Sequence, residues 1–217
     1  GFAALNLNTT GNNLVAVGSG ALDANTTAAN NIGIGANALG VNTTGSDNTS
    51  VGTNSLDANT TGASNTALGY RALSANTTGS ENQALGTYAL ATNTTGANNV
   101  AVGYNASGAS TTGANNVIVG FRAGQVLTTG GGNTFIGANS GNGNVVTTGS
   151  NNVAIGWQAH ISGTGGGDVV TIGKSAGDTL TGGGNSVIIG SGADASGANV
   201  SNEIVIGYSS TGKGANT

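Results

Sequence analysis

The sequence lacks several residue types that most folds use. Its 217 residues include no proline, no cysteine and no methionine. Without cysteine, neither a disulfide nor a thiolate metal site can hold the fold together. Only 12 side chains are charged and just 4 of these are basic, so the chain lacks the positive surface that nucleic-acid binding requires. No apolar run approaches the roughly 20 residues of a membrane-spanning helix, and we expect no membrane insertion.

Glycine and β-branched residues are present in excess. The chain contains 42 glycines, and low charge combined with high glycine content would ordinarily indicate a disordered linker. Disordered segments are poor in β-branched residues, however, whereas valine, isoleucine and threonine recur here along the whole sequence. We therefore expect ordered β-structure. The chain begins at Gly1 without a methionine, and we expect it to be a fragment of a longer fibre protein.

A glycine recurs at every seventeenth position and divides the chain into repeats. We count repeat positions from this glycine, so that Gly1 is position 1 of the first repeat. Two extra residues are inserted between Gly137 and Gly156. We expect them to bulge from a turn without interrupting the strands, so that deletion of Gly143 and Asn144 is tolerated. The position 1 glycines are Gly1, Gly18, Gly35, Gly52, Gly69, Gly86, Gly103, Gly120, Gly137, Gly156, Gly173, Gly190 and Gly207.

The other repeat positions predict the shape of one coil. Position 17 is always Val, Ile or Leu, position 15 is mostly Val, Ile or Thr, and position 16 is mostly small. In a strand, positions 15 and 17 share one face, and we expect that face to point into the core. Glycine at position 1 then bends the chain, and we expect a short second strand after the bend. The phrase Asn-Thr-Thr-Gly at positions 8–11 predicts a turn.

Repeats of this length predict a β-solenoid. A helical repeat needs about 33 residues or more for two helices, and Gly and Thr in every repeat disfavour helix formation. Coils that stack through parallel hydrogen bonds fit the period. With about 4.8 Å between stacked strands, about twelve 17-residue coils form a rod about 55–60 Å long. We therefore expect a single all-β domain over residues 1–217.

The core of such a rod is thin, because two β-branched residues and one alanine per coil bury little apolar area. We expect lateral association to cover further apolar positions, and leucine at position 5 is the candidate for that contact. This leucine is lost after residue 90, roughly where bulkier residues appear at position 16, which indicates that one contact replaces another. The position 5 leucines are Leu5, Leu22, Leu39, Leu56, Leu73 and Leu90.

The strand segments resemble a known family of surface fibres. The phrases "NNVAVG", "NNVIVG", "NNVAIG", "NSVIIG" and "NEIVIG" are similar to the head repeats of YadA-type trimeric autotransporter adhesins. The phrase "GYRALSANTTG" resembles repeats of phage tail fibres. The resemblance implies a left-handed parallel β-roll with three chains per fibre. The autotransporter repeat is shorter than the repeat of this chain, so the Asn-Thr-Thr-Gly turn is an elaboration of that pattern.

Residues for catalysis are sparse, and we predict a chain that is not an enzyme and that has no cofactor and no metal site. Asp178 and Asp194 lie on neighbouring coils and could approach as a glycosidase-like carboxylate pair, but we interpret both as solvated turn residues. His160 replaces a position 5 leucine, and we interpret it as a surface or interface residue. A single histidine does not by itself define a Ser–His–Asp triad.

Aromatic residues concentrate at repeat position 2, and an arginine follows two of them. Rings aligned along a rod offer stacking surfaces for sugars, and arginine adds hydrogen-bond donors. The alternative is that an aromatic side chain after the glycine bend only covers the corner of the coil. The candidate receptor or glycan contacts are Tyr70, Arg71, Tyr104, Phe121, Arg122 and Trp157.

Threonine at position 9 of eleven repeats favours a rival function, because flat rows of threonine on β-solenoids resemble ice-binding surfaces. Adjacent threonines in a turn point in different directions, however, so we interpret them as turn residues that form hydrogen-bonded ladders. The phrase "NTT" is also a glycosylation sequon in hosts that modify asparagine. It recurs at Asn8, Asn25, Asn42, Asn59, Asn76 and Asn93.

These features together predict a structural and adhesive fibre segment. We expect the shaft or receptor-contacting part of a viral tail fibre or cell-surface adhesin, located outside the cell. Its expected partners are two further copies of itself, in a homotrimer, and a cell-surface glycan or other host receptor. The alternative is an ice-binding solenoid or a purely structural extracellular filament.

Overall fold

The computed structural model describes residues 1–143, 148–160 and 166–214, and in it the chain forms a parallel β-solenoid. Each coil contributes one strand of three residues, and the twelve strands of the described residues form a single sheet whose order follows the sequence. The predicted solenoid and its number of coils are thus confirmed. The strands are β1 (Val15–Val17), β2 (Ile32–Ile34), β3 (Thr49–Val51), β4 (Thr66–Leu68), β5 (Gln83–Leu85), β6 (Val100–Val102), β7 (Val117–Val119), β8 (Thr134–Ile136), β9 (Val153–Ile155), β10 (Val170–Ile172), β11 (Val187–Ile189) and β12 (Ile204–Ile206).

The register of the sheet continues across the two-residue insertion. Every pair of neighbouring strands aligns equivalent repeat positions, and at β8–β9 Thr134 pairs with Val153. Hydrogen bonds between neighbouring coils join residues at the usual separation in sequence as far as Ser140, whose carbonyl accepts the N–H of Gly124. From Gly149 onward, residues that contact each other across this pair of neighbouring coils are two positions further apart in sequence, because of the two inserted residues. The insertion therefore lies between these points and leaves the strand ladder unbroken, as predicted. Asn144 is outside the described residues, so the effect of the deletion stays a prediction.

No second strand follows the glycine bend in the described ranges, so that prediction was wrong. Positions 3 and 5 have positive φ in nearly every repeat, for example 55° at both Asn37 and Leu39. A strand requires negative φ. The segment still pairs with its neighbour, since the N–H of Leu22 donates to the carbonyl of Ala38 at 3.0 Å. This side of the coil is therefore a hydrogen-bonded stack of turns rather than a second sheet.

Position 16, and not positions 15 and 17, points into the core. Ala101 is fully buried, whereas Val100 and Val102 on either side of it remain partly exposed. The alternation of the strand was predicted correctly, but its direction was wrong. The opposite wall of the coil supplies leucine or another side chain at position 5, and the narrow interior leaves room for a small residue from the strand.

Positions 5 and 16 share the same interior space. Leu22 is fully buried, and a Cβ added at Gly33 would lie only 3.2 Å from its Cγ. Later in the rod the sizes are exchanged: the ring of Phe135 fills position 16, and a Cβ at Gly141 would lie 2.4 Å from two of its carbons. The leucines are thus core residues, and the predicted lateral contact through them was wrong. The replacement of one contact by another occurs inside the coil.

Two ladders of buried asparagine line part of the interior, at position 14 from Asn31 to Asn152 and at position 8 from Asn25 to Asn93. At position 14, Asn65 donates a backbone N–H to Oδ1 of Asn48 at 3.0 Å, and Asn48 donates through Nδ2 to the carbonyl of Gly62 at 2.9 Å. At position 8, Asn59 donates through Nδ2 to Oδ1 of Asn42 at 2.8 Å. Buried amides stabilise a fold only when they are paired, and here each coil supplies the partners for the next.

Candidate functional site

The glycine at position 1 sets the direction of the side chain that follows it. Gly103 has a φ of 134°, which residues with a side chain rarely adopt. A Cβ there would also lie 2.4 Å from the carbonyl oxygen of Gly120 in the next coil. The coils can therefore stack this closely only with glycine. The next residue, Tyr104, lies on the outside of the bend with 43% of its surface exposed.

Four aromatic side chains on consecutive coils contact one another, and we call Tyr70, Tyr88, Tyr104 and Phe121 the aromatic cluster. The ring centroids of Tyr70 and Tyr88 are 5.4 Å apart, and those of Tyr88 and Tyr104 are 6.4 Å apart, both edge-to-face. Tyr104 and Phe121 are stacked, with centroids 5.5 Å apart and an interplanar angle of 16°. The structure thus brings together three of the predicted aromatic residues in one surface row.

The search for aromatic residues at position 2 missed two residues, Tyr88 within this row and Lys174 beside it. Tyr88 is at position 3, where φ is positive, and its ring lies between those of Tyr70 and Tyr104. Trp157 lies two coils beyond Phe121, outside the cluster, and its partner is Lys174 of the following coil. The sequence did contain a signal for each of them. Tyr88 is an aromatic residue at position 3 of the repeat that lies between those of Tyr70 and Tyr104, and Lys174 is a lysine at position 2.

Each of three basic side chains lies over an aromatic ring. The Arg71 guanidinium carbon is 5.6 Å from the ring centroid of Tyr70, and that of Arg122 is 5.3 Å from Phe121. The Lys174 ammonium nitrogen is 5.3 Å from the Trp157 ring. Cation–π contacts at exposed sites contribute about 0.5–1 kcal/mol each. All six predicted contact residues therefore lie on the outside of the rod, each in contact with an aromatic or cationic neighbour.

The electrostatic surroundings of the two arginines differ. Burial raises the pKa of the Asp57 carboxyl, and the nearby Arg71 partly offsets this by lowering it, so Arg71 has an acidic neighbour. Arg122 has none, because residues 82–167 contain no aspartate or glutamate and coils contact only their neighbours in sequence. The cluster therefore ends in an uncompensated positive charge on an acidic protein.

The outer sheet face, formed by positions 15 and 17 of all twelve strands, is the second notable surface. None of its side chains is buried and none is charged. Every one of the twelve strands carries an aliphatic side chain at position 17, and eight also carry one at position 15, where the others have three threonines and Gln83. Leu68, Ile136 and Ile172, for example, are exposed. The strands thus present an uninterrupted uncharged stripe along the whole rod.

The threonine and asparagine rows are used inside the rod itself. The Thr43 hydroxyl donates to the carbonyl of Thr60 at 3.0 Å, and the equivalent bond recurs in neighbouring coils. The predicted hydrogen-bonded ladder at position 9 is therefore present. The sequon asparagines from Asn25 to Asn93 are fully buried, and Asn59, for example, donates through Nδ2 to Gly62. Folded coils therefore do not expose these amides for glycosylation.

His160 and Asp194 take structural positions. His160 is 5% exposed because position 5 points inward, so its predicted surface location was wrong. Burial lowers the pKa of its imidazole to about 4. The Asp194 carboxylate accepts the amide N–H of Thr179 at 3.0 Å and its hydroxyl at 2.8 Å, while Asp178 is exposed. Asp194 therefore caps a turn, which agrees with its interpretation as a turn residue.

Within the described residues there is no cluster of three or more His, Cys, Asp or Glu side chains that could hold a metal ion. The same part of the chain has no helix long and apolar enough to span a membrane. Comparison of the chain with protein families, with curated proteins and with solved structures finds no match.

Proposed function

We propose that this chain is a structural and adhesive rod segment of an extracellular trimeric fibre, the shaft or receptor-contacting part of a viral tail fibre or surface adhesin. The observation that carries the proposal is the outer sheet face, because a rod that exposes an aliphatic stripe over its full length has a surface suited to lateral assembly. The resemblance of the strand segments to adhesin and tail-fibre repeats supports the same conclusion.

The size of the outer sheet face favours association. Eleven intervals of about 4.8 Å between twelve strands make it about 53 Å long. Positions 15 and 17 lie about 6.6 Å apart along each strand, so the aliphatic side chains cover several hundred Å². Contiguous apolar patches of that size on a protein surface commonly mark interaction sites.

Identical copies are the natural occupants of this face. Each copy carries aliphatic side chains at the same coil-to-coil spacing, so parallel copies in register match row for row along the rod. The face carries no charge that would oppose such packing. Association through it would leave the polar turns at positions 9–13 in solvent, and would place the aromatic cluster, one glycine beyond the strand, at the rim of the interface.

Receptor contact is proposed for the aromatic cluster together with Trp157. Exposed aromatic rings with neighbouring guanidinium groups provide apolar faces for sugar rings and donors for their oxygens. Trp157 is 47% exposed and Phe121 is 50% exposed, so each ring keeps about half of its surface in solvent beside the cation that lies over it. A cell-surface glycan is the receptor class that this chemistry fits.

Analytical ultracentrifugation tests the assembly. We expect the wild-type chain to sediment as a trimer and Val102→Asp, on the outer sheet face, to sediment as a folded monomer. Thr95→Asp places the same charge on an exposed turn and should leave the trimer intact. A monomeric wild type would refute lateral assembly, and a dimer would retain the interface but refute the threefold arrangement.

A glycan microarray tests the attachment role. We expect the wild-type rod to be retained on a subset of glycans and Tyr104→Ala to lose that retention while remaining a folded trimer. If Tyr104→Ala lowers the melting temperature but leaves retention intact, the aromatic cluster only covers the corner of the coil.

A further inference from the structure

The placement of the basic residues suggests more than a neutral sugar platform. The chain has only four, and three of them (Arg71, Arg122 and Lys174) lie over aromatic rings on one side of the rod. The fourth, Lys213, has no such ring contact in the described part of the chain. In a protein with a formal net charge of −4, this is a concentration of positive charge at one surface.

The backbone at the two arginines indicates that the fold does not require them. Arg71 has a φ of 55° and Arg122 a φ of 52°, a left-handed conformation that costs most residues about 1–2 kcal/mol. Six of the thirteen repeats use asparagine or glycine at this position, for example Asn105 and Gly20, which adopt the conformation readily. The remaining repeats, with Ala3, Tyr88, Gln158, Ser175 and Ser209, show that the position accepts several residue types. At position 5 the same conformation is offset by burial of leucine. The arginines are exposed and gain no comparable burial.

The cations are evenly spaced along the rod. Arg71, Arg122 and Lys174 lie three coils apart from one another, since their repeats begin at Gly69, Gly120 and Gly173. With about 4.8 Å per coil, neighbouring cations are about 14 Å apart. One coil is close to the length that one pyranose unit adds to an extended polysaccharide. The four rings of the aromatic cluster therefore lie where successive sugar rings of a chain parallel to the rod would lie, and Trp157 lies two coils further along.

We propose that this row of rings and cations binds a linear acidic polysaccharide, bearing carboxylate or sulfate groups, laid along the rod axis. The proposal rests on the glycan-binding role given above and adds the charge class of the glycan. Guanidinium groups bind carboxylate and sulfate through paired charge-assisted hydrogen bonds. Arg122 is the central anchor, because no carboxylate of its own chain competes for it.

A nucleic acid fits the row less well than a polysaccharide. A single strand carries one phosphate per about 3.4 Å, whereas the three cations are spread over about 29 Å of the rod. The acidic net charge of the chain would also repel a densely charged strand. Sugar stacking with a few charge contacts matches the row better.

Isothermal titration of the full chain with four probes tests the proposal. The probes are an oligogalacturonate long enough to span the three cations, its fully methyl-esterified form, a sulfated dextran oligomer and an oligothymidylate. We expect the oligogalacturonate or the sulfated dextran to bind at least about tenfold more tightly than the uncharged ester. Which of the two binds more tightly distinguishes a carboxylated from a sulfated ligand.

Two charge variants provide matched controls. Arg122→Gln should weaken binding of the acidic glycan roughly tenfold, while Lys213→Gln, which removes the same charge away from the rings, should leave it unchanged. Equal losses in both variants would reduce the effect to net charge and overturn the proposal. Tighter binding of the oligothymidylate than of either acidic glycan would also overturn the proposal.

Failure of the charge proposal is distinguishable from failure of the glycan-binding role. If the methyl-esterified oligomer binds as tightly as the acid and Tyr104→Ala abolishes both, the row binds neutral sugars and only the acidic class is wrong. If no glycan probe binds in the titration but the microarray still retains the wild-type rod, only the acidic class is wrong. If neither experiment shows glycan binding, the receptor role of the aromatic cluster is wrong as well, while the assembly through the outer sheet face is unaffected.

Discussion

The shared interior space of positions 5 and 16 leads to a quantitative prediction. Phe135 is 3% exposed, and a Cβ at Gly141 would lie 2.4 Å from its Cδ2 and Cε2 atoms. In the first repeats the sizes are reversed, with leucine at position 5 and a small residue at position 16, as in Leu22 and Gly33. We therefore expect Phe135→Ala and Gly141→Leu to be destabilising separately and to compensate each other when they are combined.

The magnitudes follow from the packing. Truncation of a buried phenylalanine to alanine costs about 3–5 kcal/mol. Insertion of a side chain into a filled site costs about 1–3 kcal/mol, and here the added Cβ alone overlaps the ring. In the double variant the leucine occupies the space that the ring leaves. Its backbone is acceptable, because Leu90 adopts a φ of 49° at the same repeat position. We expect a favourable coupling energy of about 2 kcal/mol, within the range measured for side chains that share a cavity.

Urea unfolding of the four proteins measures this coupling. Fluorescence of Trp157, the single tryptophan, reports on the coil next to that of Gly141. Far-ultraviolet circular dichroism should follow the same transition, since repeat arrays can unfold in parts. Additivity of the two single effects within about 0.5 kcal/mol would show that the side chains do not share space, and would refute this account of the core.

Three further outcomes are expected. Ala154→Asp should unfold the rod by burying an unpaired charge, whereas Ile155→Asp, on the outer sheet face, should keep the fold and weaken assembly; equal melting temperatures would contradict the assigned directions. Because burial lowers the pKa of His160 to about 4 from 6.5, its neutral form stabilises the fold above pH 6.5. The free energy of unfolding should fall by up to about 3 kcal/mol as the pH drops towards 4; His160→Leu should abolish that component, and an unchanged pH profile in this variant would refute it. Asn59→Ala should cost about 1–3 kcal/mol by leaving buried partners unpaired, whereas Thr61→Ala, on the exposed turn, should change stability by less than about 0.5 kcal/mol; similar losses in both would contradict a buried ladder.

The surface residues were predictable only in part. The position 2 pattern identified Tyr70, Tyr104 and Phe121, since a row in the repeat becomes a row on the rod. It missed Tyr88, because a side chain one position later reaches the same row only through the left-handed backbone at position 3. Lys174 was missed because its ring partner belongs to the preceding coil.

The sequence by itself determined the coil, the parallel in-register stacking and the continuity of the sheet across the insertion. A strict period constrains these features, because equivalent residues must align when coils of equal length stack. Strand alternation also showed that positions 15 and 17 share a face.

Only the tertiary structure decided which way that face points. The sequence pattern of alternating apolar and small residues does not depend on whether the aliphatic side chains of the strand face the interior or the outside. Burial does not distinguish the two directions either, because an assembly can bury both faces of the strand. The opposite wall of the coil removed the ambiguity. In the first repeats Leu22 and its equivalents fill the narrow interior through a left-handed backbone, so position 16 had to be small. In later repeats a large side chain such as Phe135 fills the same space from position 16. In both cases no room was left for positions 15 and 17, and the aliphatic rows had to face outward.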